Sequence, residues 1–355
     1  MKINREELIH SLNSLRPGIA KREVIEQGDC VIFDAKNGIA YSFNEQIACI
    51  IKLDIGITGA VIAEPLINTL GRLPDEEIDI SQEEDDTSLI YIKGGKRSIT
   101  GIKCETQLRL PIDVLEHPDE TAWMPLPENF NEAVELTENC VSRSDTDFQF
   151  SSIHITSNFM ESANENQACR YNIEMAIDEP FLVRHGALHA IVSNGVSEYA
   201  LTPEWLHFRD KHDLTISCRR YREEYLDQMD YIITKERKST TLTLPSGLKE
   251  AILTASLFSK DNIKGVDEIE VVFSKEKQKV TIIGEGFYGF HRNSHKIEYD
   301  GEDMQFFINP KLLSTLVDQY KTCDLCENCL KFSNAFYTYV TSLESPEEPT
   351  KTKSK

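Results

Sequence analysis

Apolar and polar positions along this chain fall into a unit that recurs three times: an amphipathic helix, short alternating strands, a second helix, then more strands. The last copy is the plainest. Residues 245–261 predict a helix with Leu248, Ala251, Ile252, Ala255 and Phe258 along one side. Strand-like runs follow at 268–273 and 279–284, a third at 305–308 leads into a helix from 309 to about 321, and strands at 330–333 and 335–340 close the chain. In the first copy, residues 5–15 set Leu8, Ile9, Leu12 and Leu15 on one helical face, and Pro17-Gly18 ends that helix. Runs at 30–33 and 39–43 flank Ala35-Lys36-Asn37-Gly38, where Asn-Gly admits the positive φ of a tight hairpin. A strand at 46–53, a short helix at 63–73 and strands at 78–81, 88–93 and 97–103 complete the copy. The second copy follows a Pro- and acid-rich connection, 111–127. It has helices at 129–141 and near 186–193, the latter preceded by 181–183, with strands at 150–156, 159–163, 169–175, 198–201, 205–208 and 214–219. Residues 220–237, charged and rich in Tyr, form the second connection.

The fold class expected is therefore α+β: three tandem modules, each with two helices packed on antiparallel sheet. Their bounds are 1–118, 119–238 and 239–343. The tail 344–355 holds Glu, Pro, Lys, Ser and Thr alone and cannot bury enough apolar surface to fold.

Composition narrows the function classes. A hydrophobic share of 40% suffices for packed cores. No run approaches the length of a membrane span, and the amino terminus lacks the apolar core of a signal peptide, so a soluble cytoplasmic protein is expected. Nine scattered cysteines without a secretion signal read as reduced thiols. Cys323, Cys326 and Cys329 have metal-ligand spacing, but no fourth ligand lies nearby, and helix-end and strand cysteines are the expected reading. The net charge of −21 argues against coating nucleic acid with the whole surface, while leaving room for a local basic face.

Catalytic chemistry is not in view. The run Gly284-Glu285-Gly286-Phe287-Tyr288-Gly289 matches a dinucleotide fingerprint by letter, yet strand-like sequence follows it instead of a helix, so a loop between strands is expected. His185 and His189 fall four apart on an expected helix but lack the Glu and third ligand of a zinc site. The acidic runs Glu76-Glu77 and Glu84-Asp85-Asp86 read as solvated turns. No catalytic residue, cofactor or metal is expected.

The ordered series of elements resembles the bacterial DNA sliding clamp, the β subunit of the replicative DNA polymerase III. The resemblance covers roughly residues 1–343. The third module carries it best, through Ala255-Ser256-Leu257-Phe258-Ser259-Lys260-Asp261-Asn262-Ile263-Lys264-Gly265-Val266 and Asn309-Pro310-Lys311-Leu312-Leu313. The first module matches through 1–15, 30–43 and 63–74, and the second more faintly through 130–141 and 150–175.

This resemblance implies a non-enzymatic processivity factor. Two chains form a ring around duplex DNA, tether a DNA polymerase, and rely on a separate clamp loader. In such a ring the helices line the hole, and the cations offered to phosphates without base reading are Arg5, Arg16, Lys21, Arg22, Arg72, Arg143, Arg184, Lys249, Lys264, Lys311 and Lys321. Leu257 and Phe258 match the apolar contact of the homodimer seam, which faces the edge strand 97–103. The opposing aromatic position falls near Ser98 or Ile99 and is altered. Family clamps receive partner peptides in an apolar pocket between the second and third domains. The candidates here are Cys169, Arg170, Tyr225, Leu226, Met229, Tyr320, Tyr339, Val340 and Leu343, without the family's Gly-His-Arg run. The alternative is a clamp-fold interaction scaffold that does not encircle DNA, suggested by the altered Ser98 region and by acidic residues in the same helices.

Overall fold

The computed structural model describes residues 1–21, 25–83, 85, 87–95, 98–142, 144, 147–259 and 267–343. One order of elements, strand–helix–four strands–helix–three strands, is traversed three times. The first pass is β1 (Lys2–Asn4), α1 (Arg5–Ser14), β2 (Cys30–Asp34), β3 (Ile39–Phe43), β4 (Ile47–Lys52), β5 (Thr58–Ile62), α2 (Ala63–Arg72), β6 (Glu77–Gln82), β7 (Leu89–Gly94) and β8 (Ser98–Lys103). The second is β9 (Met124–Pro125), α3 (Phe130–Glu138), β10 (Ser152–Ile155), β11 (Phe159–Ala163), β12 (Gln167–Asn172), β13 (Phe181–Arg184), α4 (Ala187–Val192), β14 (Glu198–Leu201), β15 (Trp205–Arg209) and β16 (Leu214–Arg219). A short extra helix, α5 (Met229–Thr234), precedes the third. That pass is β17 (Ser239–Thr243), α6 (Leu248–Ser259), β18 (Ile269–Ser274), β19 (Lys279–Gly286), β20 (Gly289–Lys296), β21 (Met304–Ile308), α7 (Pro310–Gln319), β22 (Thr322–Cys326), β23 (Cys329–Ser333) and β24 (Tyr337–Ser342).

The chain folds into two compact units. The first takes residues 1–135, 152–157 and 175–224; the second takes 136–151, 158–174 and 225–355. In the first unit β5-β2-β3-β4-β16-β15-β14-β9 form one antiparallel sheet and β1-β6-β7-β8 another. Its core joins Ile32, Tyr41, Phe43 and Ala60 to Trp205, with the Phe43 and Trp205 rings 6.0 Å apart. In the second unit β11-β12-β24-β23-β22-β17 run side by side, and β20-β19-β18-β21 form a separate sheet. Aromatic side chains fill its interior: Tyr320 stacks on Tyr337 at 6.0 Å, and Phe332 meets Tyr339 at 6.2 Å.

Local chemistry explains the helix ends. Asn4 caps α1 by accepting from the amides of Glu6 and Glu7. Asn309 caps α7 from the amide of Leu312, with Pro310 at the first helical position, where its missing N–H is harmless. Helix α6 lies against β18, β19 and β20, and it passes close to Gly284. A Cβ there would come within 2.0 Å of the Ala255 carbonyl oxygen. The first glycine of the Gly284–Gly289 run is thus a packing glycine inside β19, and the expected loop shrinks to a turn at Phe287-Tyr288.

Two other expectations need correction. His185 precedes α4 and does not share a helix with His189. The connection at 220–237 contains α5. Along β22, Cys323 and Cys326 fall on opposite faces because side chains alternate in a strand, so the three cysteines cannot converge. No grouping of metal-ligating side chains occurs among the described residues. Within the same residues, no helix is long and apolar enough to cross a membrane. Glu84, Asp86, Arg97 and the tail 344–355 lie outside the described residues.

Candidate nucleic-acid and assembly surfaces

Helices α1 and α2 pack together in the first unit, and α6 and α7 in the second. Of the candidate phosphate-binding cations, Arg5, Arg16, Arg72, Lys249, Lys311 and Lys321 sit on or beside these pairs, in differing states. Arg72, Lys311, Lys321 and Lys21 are exposed. Arg16 reaches Glu64 at 2.9 Å, and Lys249 reaches Asp318 at 2.8 Å, so each ties one helix to its neighbour. These pairs are largely solvated, and exposed ion pairs are worth about 0–1 kcal/mol, so a phosphate can replace the carboxylate at little cost. Arg5 differs: its side chain is mostly buried, and Nη1 donates to the Leu70 carbonyl at 3.3 Å. It braces α1 on α2 and is withdrawn from the surface. Arg184 sits at the end of β13, partly buried. Arg22, Arg143 and Lys264 lie outside the described residues.

The strand order contains a regularity that the helices do not. In the first and second passes, the third strand of the set of four pairs with the last strand of the next pass: β4 with β16, and β12 with β24. In the third pass the equivalent strand is β20, which ends its sheet beside β19 with no strand beyond it among the described residues. The last strand without such a partner is β8, at the end of its own sheet beside β7. All other sheet ends are first or fourth strands, which are edges in every pass. The two bare edges are therefore complementary by position.

Their side chains match that status. Ile99 on β8 is 68% exposed. On β20 Phe290 is 66% exposed and on the adjoining α6 Leu257 is 68% exposed, while the turn residues Phe287 and Tyr288 are more exposed still. Phe258 is half-buried and stacks on His291 of β20, ring centroids 6.3 Å apart. Apolar side chains of this size left in water on strand edges invite pairing with another chain.

The candidate peptide-pocket residues gather in the second unit, in two layers. Cys169, Met229, Tyr320, Tyr339 and Val340 are buried. Cys169 lies wholly inside, 3.2 Å from the Ser162 hydroxyl, and Tyr339 has no exposed surface, so neither can touch a ligand without the core opening. Tyr225, Leu226 and Leu343 are half-buried, with Tyr225 and Leu226 against Met229, Ile233, Ala163 and Ala168. Burial pushes the Tyr225 hydroxyl pKa well up, keeping it neutral.

Arg170 is the polar centre of this region. Register places it directly opposite Glu161 across the β11–β12 ladder. Its Nε donates to Glu161 at 2.8 Å, its Nη2 lies 2.7 Å from Asp230 of α5, and its guanidinium covers the Phe159 ring at 4.1 Å. The Glu161 side chain is 3% exposed, so Arg170 neutralises a buried carboxylate and clamps α5 at the same time. Sequence reading named Arg170 and missed Glu161, because nine positions separate two residues that the hairpin sets face to face.

No protein-family model and no curated protein matches this sequence. Solved structures do match in fold. The chain has the DNA sliding-clamp fold, α+β with helices on antiparallel sheet. Among the similar structures is the DNA polymerase III β chain of Streptococcus pneumoniae, with a TM-score of 0.77 at 14% identity over 97% of this chain and 99% of that one. The β subunit of Thermotoga maritima gives 0.74 at 13% identity, covering 97% and 99%. The sliding clamp of Bartonella birtlesii, solved with griselimycin bound, gives 0.77 at 14% identity, covering 98% and 99%. At such identities the likeness is one of architecture over the whole chain.

Proposed function

We propose that this chain is a DNA sliding clamp: two copies close a ring around duplex DNA and tether a DNA polymerase to it. The carrying observation is the pair of complementary bare edges. A second copy offers β8 to β20 and β20 to β8, which repeats at two seams the pairing that β4–β16 and β12–β24 already make within one chain. Ile99, Leu257 and Phe258 are the apolar contacts of that seam. The repeated element order supports a division into modules at 1–118, 119–238 and 239–343.

Inside such a ring the exposed Arg72, Lys311, Lys321 and Lys21 meet phosphates, joined by Arg16 and Lys249 once a phosphate displaces their carboxylates. Such contacts do not read bases, which lets a ring move. The partner peptide of the polymerase docks near Arg170, Tyr225, Leu226, Met229, Val340 and Leu343. Tethering keeps the polymerase at high effective concentration after each release. Ring opening belongs to a separate clamp loader, and the chain itself catalyses nothing. The pairing of Arg16 and Lys249 with carboxylates also favours a second reading, a clamp-fold scaffold that does not encircle DNA.

The two readings separate on plasmid DNA. A loaded ring stays on a closed circle and slides off after linearisation, because topology retains it. Equal retention on both forms rules out encirclement.

A further inference from the structure

Below the end of β16, the first unit holds a hollow of about 460 Å³ whose floor is a run of arginines. The backbone there is pinned from three directions. The Arg219 amide donates to the Gln46 carbonyl and the Arg220 amide to the Glu204 carbonyl, each at 2.9 Å. Tyr221 and Leu182 exchange both of their amide–carbonyl bonds. Arg219, Arg220 and Arg222 therefore keep fixed stations around one opening.

What distinguishes them is the state of their guanidinium groups. Elsewhere in this acid-rich chain some arginines take short carboxylate partners: Arg170 has Glu161 at 2.6 Å, and Arg209 has Glu198 at 2.6 Å. Around the hollow they do not. Arg219 lies 3.7 Å from Glu204 and Arg222 lies 4.0 Å from Glu179, both beyond the usual 2.7–2.9 Å of a charge-assisted bond. Arg220 makes no ion pair among the described residues. It is 92% buried, judging by its 8% residual exposure, and covers the Phe181 ring at 4.3 Å. One Nη donates to the Thr202 carbonyl at 2.6 Å, while its Nε is buried without a partner. Burial pulls its pKa down. A buried charged donor left unsatisfied is expensive, and Arg220 carries that cost in the wall of the hollow.

We propose that this hollow binds a small phosphate monoester of nucleotide size. Three guanidinium groups suit a phosphate dianion better than a single carboxylate, and their planar forks match its oxygens. The volume falls in the range of small-ligand pockets. Glu45, Glu204 and Glu223 at the same opening argue against an extended polyanion such as a nucleic-acid strand, and they accept hydrogen bonds from ligand hydroxyl or amino groups. Tyr221 adds a half-buried ring to the wall. This site is independent of ring closure, since all of its residues belong to the first unit.

The test is calorimetric and phosphorus-NMR titration of the full chain at low salt with inorganic phosphate, AMP and adenosine. Saturable binding of AMP is expected with a dissociation constant of the order of 1 mM or tighter, phosphate binding more weakly and adenosine not at all. The double variant Arg219→Gln/Arg222→Gln, at two partly exposed positions, is expected to weaken AMP about tenfold or more. Arg219→Lys/Arg222→Lys, which keeps the charge and loses the fork, is expected to fall between. Absence of saturable AMP binding, adenosine binding as well as AMP, or affinity unchanged in the glutamine variant would each overturn the site.

Discussion

Strands β4 and β20 hold the same place in their copies of the repeat, yet one is covered and the other bare. With β16 beside it, β4 buries Ile47, Ala48, Cys49 and Ile51. With β19 on one side only, β20 exposes every second residue, Phe290 among them. The backbone demands are equal, since each edge presents a row of N–H and C=O groups that must find partners or water. The difference leaves the third copy with an edge that the second chain proposed above would cover. The covered joints show what such a neighbour completes.

The sharpest way to break a covered joint is Arg170→Ala. It strands Glu161 in the strand pair that carries the β12–β24 joint, and removing one partner of a buried pair costs about 3–5 kcal/mol. Thermal unfolding of the monomer should report that loss whether or not a dimer forms.

Next comes acidification. His207 is buried in β15, between the Thr202 hydroxyl at 2.9 Å and the Ser217 hydroxyl at 2.8 Å, and burial lowers its pKa from 6.5 to about 4. Between those values the unfolded chain binds a proton that the folded chain refuses. Stability is therefore full above pH 6.5 and falls as pH drops toward 4, by about 3 kcal/mol at most, at 1.36 kcal/mol per unit. Urea titrations across that window should show the fall, and His207→Gln should flatten it.

A smaller expected change, and the one confined to the bare edge, follows Leu257→Asp. Burying a carboxylate at an interface centre should cost association about 2 kcal/mol or more. The melting temperature of the isolated chain should stay nearly fixed, because Leu257 is already exposed. A drop in monomer stability would place Leu257 in the core and not in a seam.

Much of the fold was legible wherever one face of an element meets the core. The Asn37-Gly38 hairpin, helices α1 and α7 and the alternation in β18 follow from periodicity and turn chemistry. Strand β20 left no such signal: its inward positions carry His291, Asn293 and His295, so neither face reads as apolar. Strand β17 buries Leu242 alone, and β5 is short with Gly59 inside it. Helix α5 hides in a charged stretch because Met229 and Ile233 are its buried anchors. At the candidate sites, residue type was visible and pairing was not. Arg16 and Lys249 read as free cations until Glu64 and Asp318 came alongside, and residues 220–222 read as part of a charged connection until neighbouring strand ends folded around them.

The claim at the centre is that β20 of one copy closes on β8 of another. Sedimentation equilibrium at micromolar concentration tests it directly. A mass of twice 40.5 kDa that returns toward 40.5 kDa in Leu257→Asp is the predicted result. A wild-type chain that stays at 40.5 kDa throughout would contradict it.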